Sequence, residues 1–440
     1  MAGNPVIHRF LRRSEKVSNE KHDMLKKSVL DRFCRYAAIG TQSKENVDKL
    51  PSTPEQWELA KLLERELREL GLQNVKLDDK CYVYATIPSN LAGIAAGKVP
   101  VIGFIAHVDT SPAVPGAIVK PTIHKNYKGG DLKLPGAPDL VLSAEKNQRL
   151  NDFIGGDIIT SDGTSLLGAD DKAGIAAIMA AAEYLMKHPE ISRGAVKICF
   201  TPDEEVGCGA DGFDVPGFNA AFAYTIDGEQ EGELSDETFN AASAVVTFHG
   251  KNVHPGFAKN VMINSHYAMA HFVSLFATEP RPEITGGREG YLHPYESTGS
   301  EEKSVVKVLI RDFDIDSLDT RKQRIQEMAE ATRKAFPKVR VDVEVKDSYR
   351  NMKVALNDHP HVTDIAREAM TKLGIKIIYR PIRGGTDGAR LTFNGLPCPN
   401  VFCGAENAHS REEWVAVDAM AKSAATVLEI ITIVKDKYSA

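Results

Sequence analysis

The sequence predicts an α/β protein with a central, mostly parallel sheet, interrupted by an inserted α+β domain. Three observations carry this reading. Apolar runs of strand length alternate with amphipathic helical stretches from residue 24 to about 239; the pattern changes character near Asn240; the first pattern returns near Ser348. Strands alternating with helices imply a parallel sheet covered by helices, with ligands gathered at the strands' carboxyl ends. A chain of 440 residues is long enough for two such bodies. The expected bounds are 24–239 and 348–440 for the main domain and 240–347 for the insert. Residues 1–23 read as a disordered leader: Arg9, Arg12, Arg13 and Lys16 stand among few apolar residues. An organelle-targeting segment is the other reading, whereas a secretory signal would need an apolar core that is missing here.

A first helix is expected over Met24–Ala38, with Leu25, Val29, Phe33 and Tyr36 on one face. For the second, Thr53 is expected to cap, Pro54 to take the first helical position and Gln56 to complete a capping box. Its stripe of Leu59, Leu62, Leu63, Leu67 and Leu70 ends at Gly71. Short strands follow near Val75–Leu77 and Tyr82–Ile87. The continuous run Val101–Ala106 suits a strand buried on both faces, and it delivers His107 and Asp109. The Gly- and Pro-rich span 112–156 reads as loops with small strands, among them a hairpin covering one edge. Gly168-Ala169-Asp170-Asp171-Lys172-Ala173-Gly174 opens a helix that keeps an apolar face to about His188. The strand Ala195–Phe200 leads to Asp203-Glu204-Glu205, and Ala221–Ile226 leads to Asp227-Gly228.

In the insert, strands are expected at Ser243–His249, Ser304–Arg311 and Val339–Val345, and helices at Asn264–Thr278 and Leu318–Phe336. After it come a helix over His361–Leu373, a strand over Lys376–Tyr379 and the loop Arg383-Gly384-Gly385-Thr386-Asp387-Gly388. A strand around Asn400–Phe402, then His409, and a final helix from Asp418 to about Val434 complete the chain.

Composition narrows the function. The net charge of −6 offers nothing for nucleic acid or an anionic membrane to grip. No apolar run approaches the roughly 20 residues needed to span a bilayer. Six scattered cysteines with no CxxC pair suit reduced thiols, and hence a cytoplasmic protein.

The chemistry lies at the strand ends: His107, Asp109, Asp170, Glu204, Glu205, Asp227 and His409. Each has a plain reading. Asp227 before glycine suits a turn, Asp170 could cap its helix, and His409 could be an ordinary surface or core histidine. Two adjacent glutamates at the mouth of a buried strand are harder to dismiss, because an isolated buried carboxylate costs several kcal/mol unless it is paired or bound. Imidazole with carboxylate suits zinc, with cobalt or manganese as substitutes. Two histidines and three or more carboxylates exceed one open tetrahedral site and suit two ions sharing a bridging carboxylate. A glutamate beside them could take a proton from the attacking water and return it to the leaving amine.

His107-Val108-Asp109, Gly168-Ala169-Asp170-Asp171-Lys172, Asp203-Glu204-Glu205-Val206-Gly207, Ile226-Asp227-Gly228 and Ala408-His409 resemble, in order, the motifs of the M20 metallopeptidase family. Within it, Thr41-Gln42-Ser43, Pro51-Ser52-Thr53, Asn252-Val253-His254-Pro255-Gly256 and the loop 383–388 resemble the branch of tripeptide aminopeptidases. The resemblance covers about Met24 to the C-terminus. It implies a zinc-peptidase-like catalytic domain with an inserted lid, commonly used for dimer contact, and two Zn2+ per subunit. Asp170 would bridge the ions; His107 and Asp227 would complete one site, Glu205 and His409 the other. Glu204 would be the general base and acid, with Asp109 orienting His107. Arg311 and Arg383 resemble substrate-contacting positions, suited to a peptide carboxylate by their planar fork, with a surface salt bridge as the other reading. His254 resembles a lid histidine that, in dimeric relatives, reaches the partner's active site and could polarise the scissile carbonyl. The implied activity is release of the N-terminal residue from tripeptides by a cytoplasmic homodimer. The alternatives are another hydrolase of the family (dipeptidase, carboxypeptidase or amide deacylase) and a non-catalytic metal-binding scaffold.

Overall fold

The computed structural model of the protein describes residues 5–93, 97–114 and 118–439, with side chains from residue 20 onward. The chain divides into two compact units. The first comprises Met1–Asp236, Ala355–Arg380 and Thr386–Ala440, the second Glu237–Val354 and Pro381–Gly385.

The first unit is built on an eight-stranded sheet. Its spatial order is Gln73–Leu77, Val83–Ile87, Val196–Thr201, Ile102–His107, Phe222–Gly228, Asn400–Phe402, Glu233–Ser235 and Ile378–Tyr379. The central strands Val196–Thr201, Ile102–His107, Phe222–Gly228 and Asn400–Phe402 run parallel, and antiparallel partners flank them. All six residues of Ile102–His107 are buried, which accounts for its unbroken apolar run. Parallel pairing brings the carboxyl ends of these strands to one edge, with His107 directly opposite Thr201.

Ala169–Lys187 packs on this sheet and against two long helices, Pro5–Ala37 and Val417–Ser439. Ala173, Ala176, Ala177, Ala180, Ala181 and Ala182 make it slim enough to be buried on nearly every side. Gly174 marks its closest approach to the sheet, since a Cβ there would lie 1.9 Å from the Ile226 carbonyl oxygen. The first helix begins well before Met24, inside the segment expected as a leader; residues 1–4 and the side chains of 5–19 lie outside the described residues. A smaller sheet joins Ala405–Glu406, Trp414–Ala416, Ile158–Thr160 and Thr122–His124. Its first two strands pin both ends of the loop that carries His409.

The second unit is a four-stranded antiparallel sheet in the order Tyr291–Gly299, Lys303–Asp312, Asn240–His249, Arg340–Tyr349. Burial alternates along the strands, and Ala242, Ala244, Val246 and Phe248 share a core with Val306, Val308 and Ile310. The helices Ser265–Ser274 and Ile315–Ala335 cover that face, donating Phe272, Ile325 and Met328. The edge strand Tyr291–Gly299 was not expected from sequence. Pro294 breaks its pattern, and a pairing irregularity between Pro294 and Glu296 accommodates it. Among the described residues no helix is long and apolar enough to cross a membrane.

Candidate metal centre

Six of the seven predicted side chains meet at the carboxyl edge of the large sheet. His107 Nε2 lies 2.9 Å from Asp170 Oδ1 and 3.4 Å from Asp227 Oδ1. His409 Nε2 lies 3.2 Å from Asp170 Oδ2 and 2.7 Å from Glu205 Oε2. Asp170 thus stands between the histidines, one carboxylate oxygen toward each. The seventh, Asp109, stands behind His107, its carboxylate 3.4 Å and its carbonyl oxygen 3.0 Å from Nδ1. The Asp109 carboxylate also accepts the backbone N–H groups of Glu204 and Glu205, at 3.0 and 3.2 Å, so one buried aspartate holds both the ring and the paired glutamates. His107 and Asp109 are buried, while His409 is 47% exposed, so the centre opens on the His409 side.

Local structure explains how the sequence delivers these groups. Asp203 adopts a left-handed conformation (φ 55°) that turns the chain sharply after the strand. Its carboxylate accepts from Ser52 N and Oγ, both at 2.5 Å, and from Gln56 Nε2 at 2.6 Å. This corrects the expected capping box. The helix starts at Gln56 with Glu55 as its cap residue and no side-chain cap, Gln56 turns to Asp203, and Thr53 Oγ1 donates to the Gln42 carbonyl. Gly168 precedes the helix carrying Asp170 with φ +75°, and a Cβ there would meet Thr110 Cγ2 at 3.0 Å.

The electrostatics call for a cation. Burial alone would raise the Asp170 carboxyl, but hydrogen bonds from His107 and His409 hold it well below its ordinary range. Burial and the Asp170 charge push Glu205 up to about 7. Burial takes Asp227 to about 6, against the pull of His107. Burial and the Asp227 charge push Glu204 well above the usual carboxylate range. Glu205 Oε1 is buried without a hydrogen-bond partner. Excess carboxylate with an orphaned ligand oxygen fits divalent ions bound by mixed nitrogen and oxygen donors. Among the described residues, two groups place ligand atoms within 4.8 Å of one another: His107, Asp170 and Glu205, and His107, Asp171 and Asp227. Asp171 is already engaged by the backbone N–H groups of His107 and Gly174, at 3.3 and 3.1 Å.

A cavity of about 840 Å³ opens onto Glu205 and His409, walled by Gly40, residues 42–45, Thr53, Glu55 and 111–113. That volume suits a short peptide rather than a folded protein. Sequence reasoning quoted Asp171, Asp203 and Asp387 within motifs without a role and missed Glu413; all four are buried carboxylates. Asp387 accepts from Thr201 Oγ1 at 2.7 Å. No periodic signal marks such residues, because their partners are distant in the chain.

His254, Arg311 and Arg383 belong to the second unit. His254 lies on an exposed loop, where its Nδ1 accepts the Gly256 N–H at 3.1 Å, which leaves the proton on Nε2. Arg311 Nη1 donates to the carbonyls of Ala242 and Ile310. Arg383 Nη1 donates to those of Gly287 and Glu289, and Nη2 to Thr285 Oγ1. Among the described residues neither guanidinium makes the salt bridge considered from sequence, and both are partly committed to backbone.

Comparison with known proteins identifies the family. The profile of peptidase family M20/M25/M40 matches residues 166–433. A Geobacillus kaustophilus protein named peptidase T is 46% identical over 415 residues, spanning 94% of this chain and all of the relative. The crystal structure of aminopeptidase PepT from Bacillus cereus superposes with a TM-score of 0.70 at 24% identity, covering 93% of this chain and 98% of the other. A dinuclear metal-binding M20 peptidase from Bacillus subtilis gives 0.61 at 15% identity, covering 94% and 99%. With residues 166–433 matched by the family profile and a relative 46% identical over 94% of its length, the chain belongs to peptidase family M20/M25/M40.

Proposed function

We propose that this protein is a metal-dependent aminopeptidase that releases the N-terminal residue from tripeptides. The observation that carries the reading is Asp170, held between His107 and His409 with one oxygen toward each, beside a glutamate pair anchored by Asp109. His107, Asp170 and Asp227 would hold one ion, and Asp170, Glu205 and His409 a second. Zn2+ is the proposed metal, and Co2+ or Mn2+ suit the same donors. When bound, the ions supply Lewis-acid activation of a water and of the scissile carbonyl.

The chain's own groups do the rest. Glu204, whose raised proton affinity suits a general base, takes the proton from the attacking water and hands it to the leaving amine. Asp109 keeps the His107 ring oriented with Nε2 toward Asp170 and Asp227. We assign binding of the peptide's terminal carboxylate to the remaining donors of Arg311 and Arg383, and polarisation of the scissile carbonyl to the Nε2–H of His254. Similarity to a relative named peptidase T supports the tripeptide length, and the matched family supports the hydrolysis. A cytoplasmic homodimer formed through the second unit completes the proposal.

A panel of free di-, tri- and tetrapeptides, with N-acetylated counterparts and with or without chelator, tests it. Free tripeptides should be cleaved fastest, with release of the first residue and loss of activity on chelation. Cleavage confined to blocked peptides would make the protein a deacylase instead.

A further inference from the structure

We propose that Glu413 is the positioning residue for the bridging aspartate. Glu413 lies in the same loop as His409, four residues further along, and is 1% exposed. Its Oε2 accepts the backbone N–H groups of Leu167 at 2.7 Å and Gly168 at 2.8 Å, and its Oε1 accepts that of Asp170 at 3.0 Å. The first N–H groups of a helix have no partner within it and need one from elsewhere. Gly168, at the cap position of the helix Ala169–Lys187, has no side chain with which to supply one. A carboxylate more than 240 residues away takes that role.

The consequence falls on Asp170. Its backbone departs from helical geometry (φ −81°, ψ 105°), so the helix itself does not determine where its carboxylate points. The bond from its N–H to Glu413 fixes that backbone while its two oxygens face His107 and His409. Lys172 lies buried close by, donating to the Ile39 carbonyl at 2.7 Å. One loop therefore supplies both a predicted ligand, His409, and the clamp that aims the bridging ligand. Such outer groups typically govern metal affinity by about 10–100-fold.

The inference rests on Asp170 being a ligand, so the test pairs Glu413→Gln with Asp170→Asn. The apparent Zn2+ affinity of each purified variant is measured by competition with a chromogenic chelator, with folding checked by tryptophan fluorescence. Glu413→Gln keeps the volume but places an amide among three N–H donors, and should bind Zn2+ about 10–100-fold more weakly while remaining folded. Folded Glu413→Gln with wild-type affinity would overturn the inference. Should it not fold, Glu413→Asp decides by the same titration, because a carboxylate one methylene shorter cannot span all three donors. Weakened Zn2+ binding in Glu413→Asp supports the clamp, and unchanged binding refutes it. Loss of affinity in Asp170→Asn alone leaves the metal site standing without the clamp, whereas wild-type affinity in Asp170→Asn removes the metal-site reading itself.

Discussion

Replacing Asp203 by alanine should cost this protein much of its stability, and the size of the loss can be worked from the site. Asp203 is 1% exposed, and its carboxylate takes three hydrogen bonds of 2.5–2.6 Å from Ser52 and Gln56. Bonds to a charged group contribute about 1.5–3 kcal/mol each. The buried Gln56 amide would lose its shortest bond and keep only those to Thr53 Oγ1 at 3.1 Å and Ser52 Oγ at 3.5 Å, while Ser52 is half-buried and can recover part of its loss from water. Alanine at the left-handed φ of 55° adds roughly 1 kcal/mol of backbone strain. The expected loss is therefore about 3–5 kcal/mol. Urea unfolding followed by tryptophan fluorescence is well placed to measure it, because the two tryptophans, Trp57 and Trp414, both belong to the first unit. The turn held by Asp203 carries Glu204 and Glu205, so kcat/KM should fall at least about tenfold in protein that is still folded. A loss below about 1 kcal/mol would show that these bonds do not hold the turn.

Other perturbations have definite signs. Gly174→Ala would place a Cβ 1.9 Å from the Ile226 carbonyl oxygen and should lower stability by about 3 kcal/mol in the same assay. Burial would raise Glu183, but bonds from Lys187, Ser28 and Arg32, each 2.6 Å, hold it at about 2, below its ordinary 4.5. A depressed carboxyl contributes stability fully present above its unfolded pKa and lost as pH falls through the folded one. Acid titration should accordingly show a loss of stability between about pH 4.5 and 2 that shrinks in Glu183→Gln, and equal losses in both proteins would count against this. Chelation should abolish peptide hydrolysis without unfolding the chain, and added Zn2+ or Co2+ should restore it; activity that survives exhaustive chelation would contradict a metal mechanism.

Much of the first unit was legible because burial leaves a local mark. Ile102–His107 and Val196–Thr201 are buried along their lengths and read as unbroken apolar runs. The acidic and imidazole groups just after such runs were legible for the same reason: polar residues at the mouths of buried strands need an explanation, and parallel pairing gathers them at one edge. What stayed hidden depends on contacts across the chain. Gln56 has the spacing of a capping box, yet its amide is used by Asp203, 147 residues later. Glu413 sits in an unremarkable polar loop, and its role exists only where Leu167–Asp170 folds against it. The strand Tyr291–Gly299 hid behind a proline that only an edge tolerates. Arg311 and Arg383 stood out only through the family resemblance, and sequence could not show how much of each is taken up by carbonyls of its own unit.

The central claim divides the glutamate pair: Glu205 binds metal, and Glu204 stays free to move the proton. Glu204→Gln, assayed for bound metal and for tripeptide hydrolysis on the same preparation, tests that division most directly. Two ions per chain should remain while turnover falls by about a hundred- to ten-thousand-fold. Wild-type turnover in this variant, or loss of the metal along with the activity, would contradict it.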